Sequence, residues 1–221
     1  ILDKQGFMAQ NMCNIILKRF EMQDSFRPSR AESAAGMQEY QSKIRTPDDV
    51  PARYRNFPNF ESLMNDPAHG GHPEPKVIRE AMSAAQAVMD GTLKGPVSRP
   101  SESYIDFYDG DGHPIDVKTP LSPCKADKWE FDASRNAETI LSQLDKDYPN
   151  KLTGENEPVR VLLDTTYMKP ADYAALRHEL NKRTKEDRSI LNNVMTVNVD
   201  LGTKGKINPA LTKALFTARG R

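Results

Sequence analysis

The fold is decided by Tyr104-Ile105-Asp106-Phe107-Tyr108, Asp109-Gly110-Asp111-Gly112-His113 and Pro114-Ile115-Asp116-Val117-Lys118-Thr119. Two short alternating runs flank a glycine-rich turn, the pattern of an antiparallel hairpin. Odd positions (Ile105, Phe107, Ile115, Val117) are apolar, and even positions carry Asp106, Asp116 and Lys118. Side chains alternate between faces along a strand, so burying the apolar face gathers the charged groups on the other, wet side. Pairing Tyr108 with Pro114 across a five-residue loop sets Asp106 opposite Asp116 and Tyr104 opposite Lys118. A slip by one residue would put Ile115 on the face of Asp106.

Two opposed carboxylates repel unless something compensates them. A divalent cation would do so, and an all-oxygen ligand set suits magnesium or manganese, with zinc left open. A lysine two residues on can orient a water or steady charge developing on a phosphate. The same residues would also serve as an ordinary amphipathic hairpin in which Lys118 offsets the aspartates. The Asp109–Gly112 turn is not a calcium loop of the EF-hand type, because Phe107 and Lys118 stand where acidic ligands are required.

Outward from the hairpin, Pro75 opens a helix with Val77, Ile78, Ala81, Met82, Ala85, Val88 and Met89 at helical spacing, closed by Gly91. Downstream, Ser134–Leu144 reads as a helix, Val159–Leu163 as a buried strand, Pro170–Arg183 as a proline-opened helix and Val194–Val199 as a β-branched strand. Strand, helix, strand is the grammar of a parallel crossover. Upstream, residues 1–40 carry helical periodicity, and prolines 47, 51, 58, 67, 73 and 75 then break regular structure, which suits a domain boundary or an ordered linker. The expected fold is α+β with an α/β-like core: a central mixed sheet of about four to five strands flanked by helices, behind a helical N-terminal region.

Composition narrows the function. The 221 residues hold 31 basic and 31 acidic side chains, so any nucleic-acid or membrane contact must come from local patches. No apolar run approaches the ~20 residues a bilayer needs, and two cysteines, Cys13 and Cys124, cannot build a disulfide framework. His69 and His72 lack a third ligand at readable spacing, and His113 is read as a turn residue that could assist proton transfer. After Asp200 the chain holds five basic residues and no acid, which suits either a solvated terminus or a phosphate-contacting tail in which Lys204 and Lys206 are the more attractive pair.

Asp106 followed by Asp116-Val117-Lys118 resembles the signature of the restriction-endonuclease-like, or PD-(D/E)xK, nuclease superfamily, with Tyr104-Ile105 replacing the proline of the motif name. The run Asp116–Pro120, the helix after it and the closing strand–helix–strand look like the C-terminal toxin domains of contact-dependent growth inhibition and related polymorphic toxin systems. The resemblance covers about Glu74 to Asp200. It implies catalytic Asp106, Asp116 and Lys118, with Glu80 as the upstream helical acid and Glu102 as its competitor; Asp106, Asp116 and Glu80 would hold the metal. Thr119, Arg135, Asn136, Lys204 and Lys206 would contact substrate.

The implied activity is metal-dependent hydrolysis of nucleic acid, tRNA before DNA, in a target bacterium's cytoplasm. The chain would be delivered as the tail of a larger exported protein, with which a start at Ile1 agrees, and a cognate immunity protein would neutralise it. Residues 1–73 would be an entry or accessory region and residues 74–221 the catalytic domain. Two other functions fit the residues. One is a non-catalytic interaction module on a nuclease-like fold. The other is a metal-independent ribonuclease using Lys118, His113 and nearby tyrosines.

Overall fold

The computed structural model describes residues 44–67, 70–101, 104–123 and 130–201. The helical reading of residues 1–40, and Glu102, Lys204 and Lys206, lie outside them.

Around the hairpin, β1 (Phe107–Tyr108) pairs antiparallel with β2 (Pro114–Lys118) in the register Phe107↔Ile115 and Tyr108↔Pro114, the pairing that burial of the apolar face demands. Two further strands, β3 (Asp147–Pro149) and β4 (Asn156–Pro158), form a separate hairpin that the sequence did not announce. Parallel strands β5 (Arg160–Asp164) and β6 (Val194–Val197) complete a mixed four-stranded sheet in the order β1-β2-β5-β6. The fold is α+β, as the alternation of periods implies.

Five α-helices belong to the described residues: the short α1 (Ala52–Arg55) and α2 (Phe60–Leu63), then α3 (Pro75–Met89), α4 (Ala133–Leu144) and α5 (Pro170–Arg183). Proline opens α3 and α5, where its missing N–H would be unpaired anyway. Asp132 caps α4 by accepting the Arg135 N–H at 2.8 Å.

One face of the sheet carries Phe107, Ile115, Val117, Leu162 and Val197, which share a core with α3. That core also takes in Val50, Tyr54, Phe60 and Leu63, from the stretch ahead of residue 74 where the sequence suggests a boundary. Alanines at 81, 84, 85 and 87 let α3 lie close against this face, and the Tyr54 hydroxyl donates to Gln86 at 2.7 Å. The opposite face carries Val161, Leu163 and Val194 under α4 and α5.

At the hairpin tip, Asp109 accepts the backbone N–H groups of Asp111 (3.0 Å) and His113 (2.9 Å), tying the turn together. Gly112 has φ +82°, and a Cβ on Gly110 would lie 2.3 Å from the Gly95 carbonyl oxygen, so the two glycines are required by conformation and by space respectively.

Candidate functional site

The charged end of the hairpin is built differently from the open ribbon read from the alternation. Strand β1 is only two residues long, and Asp106 lies just outside it. Where the next ladder bond would form, the Asp106 carboxylate takes the place of a main-chain acceptor: the Val117 N–H donates to its Oδ2 at 2.7 Å. Tyr104 therefore does not stand opposite Lys118. It is largely exposed and stacks on Tyr148 with ring centroids 6.0 Å apart.

Nor is the charged face wet. Asp116 pairs in register with Val161 and Lys118 with Leu163, so their side chains share the face covered by α4 and α5. Asp116 is 7% exposed. A hairpin taken alone hides this, because the covering helices come from later in the chain.

The structure brings together the four residues assigned to catalysis. Lys118 Nζ lies 2.8 Å from Asp116 Oδ1 and 2.6 Å from Oδ2. Glu80, on α3, is fully buried, with Lys76 Nζ 3.1 Å from Oε1 one helical turn away. Burial, the charges of Glu80 and Asp116 and a hydrogen-bond contact with the Asp116 carboxyl push the Asp106 carboxyl well above its usual range, against the pull of the Val117 N–H. Burial also raises Glu80, although Lys76 and Arg99 oppose it. Lys76 is held upward: burial works against its charge, but Glu80, Asp106 and Asp116 outweigh it.

Two members of this cluster were not legible. Asp66 offers a carboxylate oxygen that, with one each from Glu80 and Asp106, forms a triad whose atoms lie within 4.8 Å of one another. This buried acidic triad could hold a metal ion. Asp116 is not one of the three but abuts Asp106. Arg99 lies among them, with guanidinium nitrogens 3.3 Å from Asp66, 3.7 Å from Glu80 and 4.0 Å from Asp106, its plane over the Phe107 ring at 4.4 Å. Asp66 and Arg99 sit in proline-broken segments without periodicity, and only tertiary packing joins them to the hairpin.

The donor set fits a hard cation on a further ground. Glu80 Oε2 is buried without a hydrogen-bond donor, the nearest cation being the Arg99 guanidinium at 3.7 Å. Buried carboxylate oxygens normally find donors, and oxygen-only sets suit magnesium or manganese.

Beside Lys118 a cleft of about 260 Å³ opens, lined by Lys76, Arg79, Val117–Pro120, Asn136, Thr139 and Ile140. It sits at the carboxyl end of β2, where parallel sheets commonly place their ligands. Thr119 and Asn136, both read as substrate contacts, line it. Arg135 does not: it is exposed on α4, where its backbone N–H donates to the Asp132 cap and its carbonyl accepts the Thr139 hydroxyl. His113 lies at the other end of β2, paired with Glu157 at 2.5 Å. Five residues at ~3.3 Å each separate it from Lys118 by roughly 16 Å, too far for the two to act as one acid–base couple. Among the described residues no helix is long and apolar enough to cross a membrane.

Comparison with family models, with curated proteins and with solved structures finds no match.

Proposed function

We propose that this chain is a divalent-metal-dependent nuclease that hydrolyses phosphodiester bonds in the cleft beside Lys118. The observation that carries the reading is the junction of two unlike surfaces: a bank of carboxylates, buried Glu80 and Asp116 with half-buried Asp106, joined through Lys76 and Lys118 to a cleft whose wall holds Lys76, Arg79 and Lys118 and no acid. An anionic diester is drawn to the cationic wall, and the carboxylates joined to it suit a hard cation.

Asp106 and Glu80 would hold the ion together with Asp66, the third member of the triad, and Asp116, which abuts Asp106, would stand beside it. Once bound, a divalent cation would polarise the phosphate and lower the pKa of the attacking water. Lys118, clamped by Asp116, presents its ammonium to the cleft, where it can orient that water or meet charge developing on the phosphate oxygens. Asp106 fixes the β1–β2 junction through the Val117 N–H and thereby sets the position of Lys118 one residue on. Thr119 and Asn136 contribute neutral donors to the same wall.

A preference for tRNA over DNA, delivery as the tail of an exported toxin and an immunity partner belong to this proposal and rest on the sequence resemblance.

Arg99 favours a second reading. A guanidinium already lodged among Asp66, Glu80 and Asp106 can neutralise the triad without any metal, leaving the cluster a structural ion network.

One experiment separates the two: incubating the purified chain with total bacterial RNA and with plasmid DNA, with magnesium or manganese and with EDTA, alongside Asp116→Asn. Metal-dependent cleavage lost in the variant supports the nuclease. Absence of cleavage of either nucleic acid under every metal condition overturns it, and undiminished cleavage in EDTA would show that no metal is needed.

A further inference from the structure

The three cations of the cleft wall are not equivalent. Lys76 is engaged by Glu80 and Lys118 by Asp116. The Arg79 guanidinium has neither an ion pair nor a hydrogen bond among the described residues, and its Nε is buried without an acceptor. Its neighbours orient the guanidinium without using its donors. Its carbon lies 5.8 Å from the centroid of the Tyr167 ring, which is itself buried. The nearby Asp164 carboxylate feels the Arg79 charge, but its partners are the Thr166 N–H (2.8 Å) and hydroxyl at Oδ1 and, at Oδ2, the Ser83 hydroxyl (2.9 Å), which also lies 2.8 Å from the Arg79 carbonyl oxygen. Asp164 therefore supplies field and Tyr167 a platform, while the planar fork keeps its donors for something else. Arg79 and Ser83 lie one turn apart on α3, so the same helix that brings Glu80 to the carboxylates brings Arg79 to the cleft.

We infer that Arg79 is an anion-gripping positioning residue of the cleft, taking a phosphate of the nucleic-acid strand next to the one presented to Lys118. A guanidinium suits this task because its fixed fork matches two phosphate oxygens at once, which a lysine cannot do. The identification of the anion as a nucleic-acid phosphate rests on the nuclease reading; the anion site itself does not.

The test uses the full chain carrying Asp116→Asn, so that substrate survives. Inorganic phosphate and then a short single-stranded RNA are titrated while the Arg79 Nε–H resonance is followed, assigned by its absence in Arg79→Lys. Binding of the same RNA is measured against salt for the parent, for Arg79→Met and for Lys185→Met, an exposed lysine outside the cleft. The resonance should move with both ligands. Arg79→Met should flatten the log–log salt slope by about 0.7, the share of one phosphate contact to a single strand, beyond any change in Lys185→Met.

A resonance that stays fixed with phosphate and RNA, or a slope in Arg79→Met no flatter than in Lys185→Met, overturns the inference. Should Arg79→Met fail to fold, the resonance alone decides. The two failures are distinguishable. A chain that cleaves nucleic acid while Arg79 stays silent refutes this inference only; one that cleaves nothing while Arg79 answers to phosphate refutes the nuclease reading only.

Discussion

The two ends of one hairpin bury their acids to the same depth and treat them in opposite ways. At the turn end, Asp109 is 6% exposed, its Oδ1 receives two backbone N–H groups and its Oδ2 faces Arg160 at 3.7 Å. At the open end, Asp116 is 7% exposed with the Lys118 ammonium across both its oxygens, and Glu80 Oε2 is buried with no donor nearer than Arg99 at 3.7 Å. A satisfied buried carboxylate stabilises a turn. At the open end burial raises the Glu80 and Asp106 carboxyls and leaves oxygens that a cation could take, which is why the chemistry is assigned to one end only.

The largest effect should come from breaking the open end at its ammonium. Lys118→Met is expected to lower metal-dependent cleavage by about 10²–10³-fold, the usual loss when a charge-stabilising donor is removed. Single-turnover kinetics on labelled RNA would show it, and a fall in cleavage no larger than the fall in folded fraction would contradict it.

Arg99→Met should be the most costly change to folding. It leaves Asp66, Glu80 and Asp106 without their shared guanidinium, and breaking such a buried pair typically costs about 3–5 kcal/mol. Urea unfolding would measure the loss. If the triad accepts a cation, manganese should restore part of it, whereas a purely structural network would not respond.

A pH series sharpens the contrast. The folded-state pKa of Asp106 is raised above its ordinary 3.8, so the native state binds the extra proton as pH rises from there. Its contribution to stability is fully present below 3.8 and is lost as pH climbs through the raised value. Asp106→Asn should therefore gain stability relative to the parent as pH rises through that window. A constant difference in urea midpoint across the series would contradict this. The smallest effect is expected at the turn: His113→Ala should cost about 1 kcal/mol through its lost Glu157 contact and leave cleavage unchanged.

How far the sequence reveals this architecture follows the same divide. The helix read over Pro170–Arg183 and the hairpin register follow from local signals, a proline start and a period of two, and the structure has both. Glu80 was legible because a strongly periodic helix carries it. Arg99 and Asp66 were not, since their role exists only after segments far apart in sequence close around Glu80. The departure of Asp106 from β1 was also hidden: alternation extrapolates a strand until a side chain captures the next ladder donor. The β3–β4 hairpin, with its mostly exposed residues, offers no apolar alternation to read.

The central claim is that the open-end carboxylates bind a divalent cation, and calorimetric titration of manganese into the purified chain tests it most directly. The account predicts one saturable site whose heat is abolished or whose affinity falls at least about tenfold, ~1.4 kcal/mol, in Asp106→Asn. No binding by the parent chain, or equal binding by parent and variant, would contradict it.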